Sequence, residues 1–146
     1  MDNKTVNGTN GTKGLLRIAF LADGIIAIGF GIYSWCFPHE TFGTIIAIPA
    51  AHASEFLSIL SGLSLFYLLI GLTCLIGIKA AFPVNILIAL LMGTRHMLEG
   101  VIKAGDMEQE WLTGNPYPDL AIHAAFAVVY ILAIYFTRRR RAVLQE

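Results

Sequence analysis

The chain has 146 residues, 56% of them hydrophobic and only 14% charged, with ten basic and ten acidic side chains. Soluble domains carry roughly 25% charged residues, so an ordinary soluble fold is excluded. With no net charge, no overall field draws the chain to nucleic acid.

The first stretch, MDNKTVNGTNGTKG, is a flexible polar lead over residues 1–14. Asn3, Asn7 and Asn10 each open an Asn-x-Thr pattern, which is inert if this end faces the cytoplasm. A first span follows at about 15–37 and ends before Pro38. It is too long, and lacks the small-residue cleavage site, for a signal peptide. The connection HETFGTIIAIPAAHAS contains an apolar segment broken by Pro49, so 41–51 is expected to lie on the membrane interface or dip into it.

The second span covers about 55–78 and the third about 81–102, with Pro83 in its first turn. A turn-rich connection, AGDMEQEWLTGNPYPD, leads to the fourth span at about 120–137. Residues 138–146 form a basic tail, leaving 15–137 as a single membrane domain. Each span reaches the roughly 20 apolar residues needed to cross a bilayer. Trp35, Trp111, Tyr117 and Tyr135 fall near the expected interfaces.

Lys4, Lys13, Arg17, Lys79 and Arg138 to Arg141 all flank one side of these spans, whereas the other side offers Lys103 among Glu40, Asp106, Glu108 and Glu110. The positive-inside rule therefore places both termini in the cytoplasm. The expected fold is all-α, an integral membrane four-helix bundle in a bacterial inner (plasma) membrane. Cys36 and Cys74 would then lie at opposite faces, too far apart for a disulfide. Close packing is expected at Gly24, Gly29 and Gly31, at Ser58 with Gly62, and at Ala121 with Ala125.

The stretch GTRHMLEG in the third span is anomalous because charged groups in lipid need partners or a purpose. Arg95 and Glu99 stand four apart on one helical face, and His96 and Glu99 three apart. His123, Glu55 and His52 map to the same outer half or rim, giving an outer polar pocket. His39 and Glu40 close the first span on that side. Asp23 stands apart, in the cytoplasmic half, with Asn85 as its expected partner and Arg95 about two turns away.

Four readings of this constellation compete. Arg95–Glu99 can be a structural ion pair joining helices. His52, His96 and His123 with a carboxylate can hold a metal or haem. Glu99, His96 and Asp23 can relay protons, although no continuous chain is legible. The pocket can also hold a quinone, sterol or lipid, with Arg95 as anchor. No Gly-x-Ser-x-Gly elbow, phosphate loop or dinucleotide fingerprint is present, and no cofactor is specified.

Four short spans, a Pro soon after the first, SGLSLFYLLIGL in the second and MGTRHMLEG in the third resemble the DoxX-like group of small membrane proteins. Here Thr94 separates Gly93 from Arg95, where several families of that group have Gly-Arg. The resemblance implies a four-helix membrane bundle, in some members an accessory to quinone-linked oxidation. The leading expectation is a non-catalytic accessory subunit or ligand-binding protein among membrane lipids, as a homo-oligomer or in a larger complex. The alternative is a small membrane enzyme or redox-linked protein acting on a quinone, sterol or lipid; a transporter ranks below both.

Overall fold

The computed structural model describes residues 8–42, 53–106, 115 and 117–143. They form α1 (Gly8–Cys36), α2 (Pro38–Phe42), α3 (Ala53–Lys79), α4 (Val84–Asp106) and α5 (Tyr117–Val143). Four of these, α1, α3, α4 and α5, are long and apolar enough to cross a membrane. Helices suit that solvent because every backbone polar group is satisfied within the segment.

Proline punctuates two of the boundaries. Pro38 lacks the N–H that would extend α1, and instead opens the single-turn α2. Pro83 lies just outside α4 rather than within its first turn; its carbonyl accepts from the amides of Ile86 and Leu87, both at 3.1 Å. The third span consequently starts three residues later than the hydropathy pattern indicates, a shift of about 4.5 Å along its axis.

Side-chain contacts fix the directions. Along α1, Phe20, Gly24 and Gly31 meet Gly77, Gly71 and Ser64 of α3 in descending order, so the two helices are antiparallel. Along α4, Gly93, His96 and Gly100 meet Tyr130, Phe126 and Leu120 of α5 in the same antiparallel sense. Contacts between α1 and α5 and between α3 and α4 close the ring. One end of the bundle, here the terminal end, holds the start of α1 and the end of α5; the other is the distal end.

The α1–α3 seam depends on backbone proximity. A Cβ added at Gly71 would overlap Ile28 Cγ1 and lie 3.0 Å from the Gly24 carbonyl, and one at Gly31 would lie 2.9 Å from the Ser64 carbonyl. Ser34 donates to Ser64 at 2.8 Å across this seam, a buried interhelical bond of the kind that joins membrane helices. Among the described residues, several expected small-residue contacts are absent. Gly29 and Gly62 have nothing within 4 Å of a Cβ position, and Ser58, Ala121 and Ala125 are exposed. Small residues pack helices only on the face turned inward, and these point outward.

The interior combines Leu16, Phe20, Ile70, Cys74, Met92 and Tyr130. The outer surface is apolar as well, with Ile59, Leu87 and Val101 more than 60% exposed, as expected of a face solvated by lipid. Trp35, Tyr117 and Tyr135 are exposed near helix ends, whereas Trp111 and the rest of 41–51 beyond Phe42 lie outside the described residues. Both cysteines are free, Cys36 exposed and Cys74 buried.

Candidate functional site

Two helical stripes build the site. On α4, Arg95, His96, Glu99 and Lys103 fall within two turns and face the bundle together. On α5, Asp119, His123, Phe126 and Tyr130 recur at helical spacing on the opposing face. The antiparallel register sets the two stripes against each other, and α1 adds Asp23 between them.

Asp23 is the inner anchor, only 2% exposed. Its Oδ2 accepts from the Tyr130 hydroxyl at 2.9 Å and from His96 Nε2 at 3.0 Å. The Cys74 thiol approaches the same oxygen at 3.7 Å, while Arg95 Nη1 donates to Oδ1 at 3.4 Å. Asp23 is therefore part of the cluster rather than a group set apart from it. The late start of α4 accounts for part of the correction. The rest comes from Arg95, whose long side chain leans toward the helix N-terminus, as helical side chains do. The expected Asn85 partner is not used. Asn85 Oδ1 is buried without a hydrogen-bond partner among the described residues, beside a cavity of about 320 Å³ at the terminal end whose lining includes Arg17, Lys79 and Thr137.

Arg95 and Glu99 form a two-pronged pair, Nε to Oε1 and Nη2 to Oε2, each at 3.0 Å. Planar guanidinium and carboxylate groups match in this way, and the match fixes both side chains. The Arg95 guanidinium also lies 5.7 Å from the centre of the Tyr67 ring on α3, within cation–π range. A second chain of contacts runs toward the distal end. His96 Nδ1 and His123 Nδ1 are 2.9 Å apart, and His123 Nδ1 lies 3.1 Å from Glu99 Oε2. His123 Nε2 faces Asp119 Oδ1 at 3.5 Å, and Asp119 Oδ2 pairs with Lys103 at 3.0 Å. Phe126 stacks on the His96 ring, with centroids 4.8 Å apart and planes 10° apart.

The sequence-derived residues Asp23, Arg95, His96, Glu99 and His123 thus meet in one network. Unlike the discontinuous set expected from the sequence, it runs unbroken from Tyr130 to Lys103. Glu55 is exposed in the first turn of α3, and His52 lies outside the described residues. Sequence reasoning missed Cys74, Tyr67, Lys103, Asp119, Phe126 and Tyr130. The α5 residues carry a legible signal, since Asp119, His123 and Tyr130 share one face.

The arrangement can hold charge in the bundle interior, pass a proton along short contacts, or present nitrogen and oxygen ligands to a cation. Oxygen and nitrogen atoms of His96, Glu99 and His123 lie within 4.8 Å of one another. Comparison with known family models, curated proteins and solved structures finds no match to this chain.

Proposed function

We propose that this is a four-span membrane protein with both termini in the cytoplasm of a bacterial cell, acting as a ligand-binding or accessory chain of the DoxX-like kind. Its distal ionic cluster binds a small ligand and does not carry out a turnover of its own. The observation that supports this reading is the convergence of His96, His123 and Glu99 acceptor atoms inside a network whose other members are held by partners. Such preorganisation suits binding, because the ligand meets groups already in place. The acidic residues at the distal end and the basic residues at the terminal end support the orientation.

Native mass spectrometry of the gently extracted protein tests the proposal. A reproducible bound ligand, or stoichiometric foreign subunits, is the expected result, and Arg95→Ala should reduce ligand retention or assembly. Turnover by the purified, partner-free protein that is lost in Glu99→Gln would sink the non-catalytic reading in favour of an enzyme acting on a quinone, sterol or lipid.

One observation favours a second reading, proton transfer. The contacts from Lys103 and Asp119 through His123 and His96 to Asp23 are each 3.5 Å or less. Ionisable chains of this type serve as relays in membranes. Proton uptake by protein-containing vesicles, abolished in His96→Gln, would support it.

A further inference from the structure

The two histidines share one position that either a proton or a cation can fill. His96 Nε2 lies 3.0 Å from Asp23 Oδ2, and the Tyr130 hydroxyl also donates to that oxygen. A carboxylate oxygen with two such neighbours accepts, so Nε2 carries the His96 hydrogen and Nδ1 presents a lone pair. His123 Nε2 stands 3.5 Å from the Asp119 carboxylate, so the His123 hydrogen lies either on Nε2 toward Asp119 or on Nδ1 toward His96 Nδ1. The two Nδ1 atoms then confront each other at 2.9 Å, with Glu99 Oε2 3.1 Å from His123 Nδ1. Glu99 Oε2 also accepts from Arg95 Nη2 at 3.0 Å, so one position stands open between the two Nδ1 atoms, filled by a His123 Nδ1 hydrogen or, with that hydrogen moved to Nε2, by a cation.

We infer that the occupant is a divalent first-row transition-metal ion of the zinc type, held by His96 Nδ1, His123 Nδ1 and Glu99 Oε2. The inference rests on the ligand-binding reading above and names its ligand.

Four features support a metal. The first is spacing. Tetrahedral zinc with bonds of 2.0–2.1 Å sets its ligand atoms roughly 3.3 Å apart. The observed 2.9 and 3.1 Å must open by a few tenths of an ångström, and His96 Nδ1 and Glu99 Oε2, held within 4.8 Å, must draw together by up to about 1.5 Å. The second is the outer support. Metal-binding histidines characteristically donate their far N–H to a carboxylate, which fixes the tautomer and the ring. Here Asp23 supports His96, Asp119 supports His123, and Arg95 holds Glu99 from the side. Phe126, stacked on His96, restrains that ring further.

The third feature is donor type. Two imidazoles and one carboxylate suit zinc and its neighbours, whereas calcium and magnesium favour all-oxygen sets. The fourth is charge. The carboxylates of Asp23, Glu99 and Asp119 outnumber the basic groups of Arg95 and Lys103 by one, which favours a cation at their centre. Three protein ligands leave a fourth position for water. Side-chain exposure rises from 2% at His96 to 9% at His123 and 47% at Asp119, so the ion reaches the site from the distal end.

The competing occupant is a proton on His123 Nδ1, shared with His96 and Glu99. Chelator-treated, tag-free protein titrated with Co²⁺ separates the two. The expected result is a visible absorption band of tetrahedral intensity that saturates at one equivalent and is displaced by Zn²⁺. His96→Gln and His123→Gln should each weaken Co²⁺ binding at least 100-fold. Asp119→Asn, which leaves all three ligands in place, should weaken it roughly 10- to 100-fold. The wild-type titration needs no variant, so a variant that misfolds does not compromise the test. A wild-type protein that elutes normally but gives no Co²⁺ band overturns the metal assignment, as does a band unchanged in well-folded His123→Gln. If native mass spectrometry still finds another bound ligand, the ligand-binding reading survives; if it finds neither ligand nor partner, both fail.

Discussion

Replacing Asp23 with Asn changes one oxygen to an NH₂ group at nearly constant volume, and the surrounding geometry makes the change costly. Besides the weak Cys74 thiol donor at 3.7 Å, three nitrogen and oxygen neighbours donate to the carboxylate: Tyr130 at 2.9 Å, His96 at 3.0 Å and Arg95 at 3.4 Å. If the Asn oxygen replaces Oδ2, its NH₂ confronts the Arg95 guanidinium. If the amide flips, the NH₂ confronts the His96 N–H. Either way a donor meets a donor. Polar contacts between membrane helices average about 0.6 kcal/mol, because the separated helices also find partners, and the Asn orientation that keeps Tyr130 and His96 still forfeits the Arg95 contact, so the floor is near 0.6 kcal/mol. Leaving a buried charge unpaired costs about 3–5 kcal/mol, but Arg95 keeps Glu99, so that figure is a ceiling. The expected destabilisation is therefore about 1–4 kcal/mol, measured by reversible unfolding in mixed micelles or by steric trapping in bilayers. Nitrogen NMR should show the His96 hydrogen on Nε2 in the wild type and redistributed in the variant. A loss below about 0.5 kcal/mol with an unchanged His96 spectrum would refute the argument that Asp23 anchors the cluster.

Tyr130→Phe removes one donor to Asp23 while leaving Arg95 and His96 in place, so a smaller loss of about 0.5–1.5 kcal/mol is expected in the same unfolding assay. Gly71→Ala should destabilise the α1–α3 seam by about 1–3 kcal/mol through overpacking against Ile28 and the Gly24 carbonyl. Gly62→Ala, with nothing within 4 Å, should be neutral or slightly stabilising, and equal losses at the two positions would contradict the packing described. In intact cells, a membrane-impermeant maleimide added outside should label exposed Cys36 and spare buried Cys74 until the protein is unfolded. Labelling of Cys36 only after the membrane is opened would reverse the proposed orientation.

Local pattern was enough to identify the four long helices. Each carries an apolar run of bilayer length, and a backbone in lipid has few alternatives to a helix. The grouping of Arg95, His96 and Glu99 was equally legible, since residues three and four apart share a helical face whatever surrounds them. What lay beyond reach was the relation between helices. Whether Asp23 meets His96 or Asn85 depends on an axial offset of a few ångströms, and hydropathy defines a span's end no more sharply than that. Gly62 and Gly71 likewise look alike in sequence, yet one faces open space and the other meets the α1 backbone. The sequence by itself determined the helices and the charged face of α4, because both follow from neighbours within about two turns. Only the tertiary structure decided that His96 and His123 meet, that Asp23 and Tyr130 complete the cluster, and which glycines hold the seam, because rotation and register between helices are set by packing across the whole interface.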